Sequence, residues 1–157
     1  MKNIKQILEN NTDPNKLIIA IGDFVAKREG ADGYENLTDA EKYVSAVYYY
    51  EAEVNNGGLD QFFFNSTGDR WKKTLGGLRE IGANYAYRIL NETTKLFGDE
   101  GPAEEWSKRQ EQLQSLSEDY KEKEERLTNQ FYKYEDNLSD LLINYVKSHA
   151  DEFGELK

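Results

Sequence analysis

The stretch AEVNNGGLDQFFFNSTGD, residues 52–69, sets two asparagines and two glycines before three phenylalanines and closes on an Asn-Ser-Thr-Gly-Asp turn. Asn and Gly tolerate the left-handed backbone that ends a helix, and successive glycines let a chain reverse at little steric cost. The reading is a helix that stops near Asn55, a sharp turn, and a short helix over Leu59–Phe64 that inserts aromatic rings into a core. Asn65 to Asp69 then closes that helix and caps the next, which carries Trp71.

The helix leading into the turn starts at a capping box, Thr38-Asp39-Ala40-Glu41, and presents Tyr43, Val47, Tyr50 and Val54 as its inner stripe. Glu51 falls inside that apolar arc and Glu53 lies at its edge. A carboxylate on a buried face must be hydrogen-bonded, paired or protonated, because desolvating the bare charge costs several kcal/mol. Donors are close by: the amides of Asn55, Asn56, Gln61 and Asn65, the backbone of the glycine turn, and tyrosine hydroxyls. The stretch therefore reads as a polar corner that pins two helices around an aromatic plug. Its functional alternative is a pocket in which Glu51 or Glu53 binds a small polar ligand, works as an acid or base, or joins Asp60 around a hard cation.

Helical periodicity recurs outward in both directions and strand signals are nearly absent. Asp13-Pro14 starts a helix through Leu17, Ile21 and Val25 that should end near Arg28, with a loop over residues 29–37. Trp71, Leu75 and Leu78, then Ala86, Leu90, Thr93 and Phe97, continue the pattern. Residues 103–116 are polar, anchored by Trp106, Leu113 and Leu116. Ser117 and Ser139 are placed to cap the last two helices, the second of which leads to His149, expected as a half-buried core histidine. The expectation is one all-α domain over residues 1–157, a bundle of six or seven helices with short loops.

Composition supports a packed chain. Of 157 residues 38% are apolar, a low share offset by 13% aromatics, which bury large areas. Cysteine is absent, which excludes disulfides and thiol chemistry. The N-terminal residues lack the apolar core of a signal peptide and no stretch approaches a membrane span, so a soluble, cytoplasmic protein is expected. A net charge of −10 argues against direct binding to nucleic acid through phosphate neutralisation and points to basic partners. The usual phosphate, dinucleotide, zinc, hydrolase and calcium motifs are missing, so neither enzymatic activity nor a cofactor or metal is expected.

Three blocks, YYEAEVNNGGLDQFFFNSTGD, LREIGANYAYRIL and LTNQFYKYEDNLSDLLINYVKSHADEF, resemble the DNA-mimic-protein-like family, a mostly bacterial family, over roughly residues 38–153. The resemblance implies an all-helical fold, no established enzymatic activity, and an acidic surface that occupies a DNA-binding protein. The family's motif matches at Glu53, Asn55, Asn56, Gly57, Gly58, Gln61 and Phe62, positions that look like scaffold rather than site.

The acidity is concentrated in one segment. From Asp99 to Asp136 there are twelve acidic and six basic residues, and 12 − 6 leaves six of the ten net negative charges. Part of this is paired at i, i+4: Glu104 with Lys108, Glu105 with Arg109, Asp119 with Lys123 and Glu122 with Arg126, while Lys121 answers Glu125. Asp99, Glu100, Glu111, Glu118, Glu124, Glu135 and Asp136 remain as the partner-binding acids. The function expected is non-enzymatic binding of a basic protein, a DNA-binding one under the resemblance. An inhibitor or immunity-type role toward another partner, and the pocket at Glu51–Gln61, stand as alternatives. The Tyr48–Tyr50 and Phe62–Phe64 runs each turn one ring outward, which favours self-association into a homodimer.

Overall fold

The computed structural model describes residues 3–156. They form eight α-helices and three 3-10 turns, without a strand. The helices are α1 (Ile4–Asn10), α2 (Pro14–Asp32), α3 (Asp39–Phe64), α4 (Trp71–Glu80), α5 (Asn84–Lys95), α6 (Trp106–Ser115), α7 (Glu118–Phe131) and α8 (Leu138–Ser148). The protein is all-α, and its count exceeds the expected six or seven because the first residues also form a helix, α1, closed by an Asn3–Gln6 capping box. Among the described residues no helix is long and apolar enough to cross a membrane.

Several ends form for the reasons expected. The Asp13 carboxylate accepts from the Lys16 N–H ahead of Pro14, and Thr38 and Glu41 close their capping box. Others differ. α2 does not stop at Arg28 but continues to Asp32, whose carboxylate pairs with Arg28 across that added turn while Arg28 also donates to the buried Glu41 carboxylate (2.9 Å). The same carboxylate accepts from the Gly154 N–H (3.0 Å), tying the C-terminal segment to α3. Ser117 flanks α7 without a capping bond, and α8 is capped by Asn137 rather than Ser139.

One apolar core draws on every helix except α6. From its centre outward the rings of Phe131, Tyr50, Phe62, Phe63, Phe97 and Tyr120 follow one another with centroids 4.9–5.7 Å apart. Val47, Tyr50, Val54, Phe62 and Phe63 are fully buried, so the aromatic plug is real and Phe62 is its middle. Tyr43, expected in that stripe, is only half-buried.

Candidate functional site

The corner in α3 is a kink, and Gly58 makes it. Its backbone lies at φ 78°, ψ −178°, a conformation essentially confined to glycine, and an added Cβ would stand 3.2 Å from Thr128. After the kink a fresh helical segment begins, and its first N–H groups need acceptors. α7 supplies them: Leu59 N–H donates to Thr128 Oγ1 (3.0 Å) and Asp60 N–H to Glu124 Oε1 (3.0 Å). Thr128 Oγ1 in turn donates to Glu124 (2.6 Å).

Glu53 straps the kink from the other side. Its carboxylate accepts from Gln61 Nε2 (2.7 Å), Asn65 Nδ2 (3.0 Å) and Thr67 Oγ1 (2.8 Å), so one side chain holds both limbs and the following turn. Burial pushes this carboxyl up, but the three donors outweigh it and hold it below the ordinary glutamate value. Glu51 has the opposite balance: burial pushes it up, and the single bond from Tyr134 Oη (3.1 Å) does not cancel that. Glu124 is likewise raised by burial, against its bonds from Thr128 and the Asp60 N–H.

The α7–α8 connection docks on the same corner. Tyr132 Oη donates to the Val54 carbonyl (2.8 Å), and Tyr134 Oη accepts from Asn55 Nδ2 (2.6 Å). Tyr134 adopts φ 47°, the left-handed region that a large side chain enters only when its surroundings fix it. Burial pushes its phenol up to about 12. Asn56 departs from expectation: it is exposed and makes no side-chain hydrogen bond among the described residues. The three carboxylates Glu51, Glu53 and Asp60 take separate partners, and among the described residues no group of three or more acidic, His or Cys side chains is placed to hold a metal.

A second anchor, not read from the sequence, is Arg109. Instead of pairing with Glu105 it is fully buried and donates to the carbonyls of Phe63 (2.7 Å), Asn65 (2.9 Å), Ala103 (2.8 Å) and Glu104 (3.1 Å) and to Asp69 Oδ1 (2.6 Å). Its signal was position: Arg109 shares a helical face with Trp106, Leu113 and Leu116. Gly68 leaves it room, since a Cβ there would meet the Phe62 carbonyl oxygen at 2.7 Å and Arg109 Nε at 3.0 Å.

The seven acids singled out from the sequence divide. Asp99, Glu100, Glu111 and Glu135 are exposed and form no ion pair among the described residues. Glu118 is exposed and 3.4 Å from Lys121. Glu124 and Asp136 are half-buried and are not the unpaired acids expected: Glu124 caps the second limb of α3, and Asp136 accepts from the Ala86 N–H (2.9 Å) in the first turn of α5. Asp119–Lys123 (2.7 Å) and Glu122–Arg126 (3.1 Å) pair as expected. Glu104 reaches Lys72 instead of Lys108, which pairs with Glu105, and Glu125 is left exposed and, among the described residues, unpaired because Lys121 turns to Glu118. His149 is half-buried, stacked on Tyr145 at 4.0 Å.

Among curated proteins and solved structures the chain has no match. The NNGG kink and its Glu53 strap lie inside residues 35–149, the span matched by the family model of the DMP19-like protein, and the chain belongs to that family.

Proposed function

We propose that this protein is a non-enzymatic DNA mimic that occupies the DNA-binding face of a basic protein. The family takes its name from DNA mimic protein 19, which supports the reading by kinship. The observation that carries it to this chain is the set of exposed acids that form no ion pair among the described residues, Asp99, Glu100, Glu111, Glu125 and Glu135. They fall between the α5–α6 and α7–α8 connections, on a molecule of net charge −10. Carboxylates held in water and left unneutralised steer a basic partner as phosphates do. The Glu53 corner is assigned to architecture, because Glu53 spends its acceptors on donors of its own chain.

The test is capture from a lysate of the source cell followed by elution with duplex DNA. A DNA-binding protein released by duplex, and captured poorly by the Glu111→Lys, Glu125→Lys, Glu135→Lys variant, is the expected result. A partner that duplex leaves in place refutes mimicry and returns the weight to an inhibitor role.

A further inference from the structure

α6 buries a single side chain, and that side chain is Arg109. Its apolar residues consequently stay out of the core: Trp106 is 48% exposed, and Leu113, with Leu116 just beyond the helix, is half-exposed. Phe64, the last residue of α3, is 54% exposed beside them. Its carbonyl accepts from Trp106 Nε1 (2.9 Å) and Gln110 Nε2 (2.7 Å), which ties the end of α3 to α6. Tyr120 on α7 completes the floor, its hydroxyl donating to Asp60 Oδ1 (3.3 Å). The result is a groove of about 470 Å³ between α6 and α7, with Phe64, Leu113, Leu116 and Tyr120 below.

Its rim is acidic. Asp60, Glu124 and Glu125 face Lys121, three acids to one base, and that lysine is already engaged by Glu118. A phosphate backbone has no counterpart to an apolar floor, so imitation of charge does not account for this groove. An amphipathic helix bearing Lys and Arg complements both features, the floor by its apolar stripe and the rim by its flanks.

We propose that the α6–α7 groove docks an amphipathic basic helix of the partner protein, with apolar side chains on Phe64, Leu113 and Leu116 and cations against Asp60 and Glu125. The inference rests on the reading above for the partner's positive charge, though not for its displacement from DNA. Two walls joined at Leu116–Ser117, one of them burying only a single side chain, suit the insertion of a third helix.

The probe is a synthetic peptide of about 16 residues, roughly four turns, with Leu at i, i+3, i+4 and i+7 and Lys elsewhere. A scrambled peptide of the same composition keeps the charge and loses the apolar face. Titrated into isotope-labelled protein, the amphipathic peptide is expected to shift amide resonances confined to residues 60–64 and 106–125. The scramble, and the Leu113→Arg, Leu116→Arg double variant, are expected to bind about tenfold more weakly. Glu125→Lys, an exposed rim change, should lower affinity a few-fold and serves if the double variant does not fold. Equal binding of both peptides, shifts scattered over α2 and α8, or self-association of the protein through the same residues would overturn the inference. Failure here together with a duplex-displaced partner overturns the groove and leaves mimicry standing; groove binding without any duplex-displaced partner does the reverse.

Discussion

Two carboxylates two residues apart, Glu51 and Glu53, sit in one corner and should respond to pH with opposite signs. The folded protein holds Glu53 below its ordinary value, so its contribution is present above the unfolded carboxylate range and is lost as pH falls through the folded value. Burial raises Glu51, so its ionised form costs stability above the folded value, and that cost disappears as pH falls to the unfolded value. Glu53→Gln puts an amide among three donors and, the site being partly open to water, should cost about 1 kcal/mol at neutral pH, with the deficit shrinking toward acid. Glu51→Gln should melt at the same temperature or higher at neutral pH, its advantage vanishing near about pH 4. Melting curves across pH decide both, and parallel curves for the two variants would contradict the assignment. Asn56→Ala, at an exposed side chain without a partner, should leave stability within about 0.5 kcal/mol of the parent. Arg109→Met, by contrast, strands the carbonyls of Phe63 and Ala103, leaves Asp69 without its cation, and should cost about 3 kcal/mol or more in denaturant unfolding.

At the scale of elements, the kink in α3 joins what the sequence made legible to what it hid. The NNGG run announced a break between two helical limbs around an aromatic plug, because glycine pairs and aromatic triplets have few other uses at that spacing. That Glu53 would bind Gln61 and Asn65 was within reach too, since donors and acceptor are neighbours along the chain. What lay hidden came from far along it: Thr128 and Glu124 receive the N–H groups of the second limb, and Arg109 fills the space under the following turn. Local pairing rules assign Arg109 to Glu105 and leave Glu124 unpaired, because i, i+4 spacing carries no knowledge of a third helix. α1 was missed for a related reason, a seven-residue helix too short to display a period. Gly58→Ala tests the kink as an element: the glycine-only backbone and the contact with Thr128 together should cost about 1–3 kcal/mol. A fully stable variant would mean that the kink relaxes rather than being imposed.

For the whole molecule the deciding question is whether its negative charge is decoration or a maintained cost. Acids paired with Lys or Arg on a helix face lend a little stability, which salt screens away, so a surface made of such pairs loses stability as ionic strength rises. Acids without partners repel one another, and salt relieves that repulsion. The described residues hold both kinds: Asp119–Lys123 and Glu122–Arg126 on one side of the balance, and Asp99, Glu100, Glu111, Glu125 and Glu135 on the other. With a net charge of −10, repulsion should dominate, so the melting temperature should climb between about 10 mM and about 300 mM sodium chloride. In the Glu111→Gln, Glu125→Gln, Glu135→Gln variant the low-salt melting temperature should be higher and the climb smaller, since these residues brace nothing in the fold. That is the signature of charge held for a partner at some expense to the folded state. A melting temperature that falls with salt, in parent and variant alike, would mean that the acids are balanced within the protein and free to steer nothing.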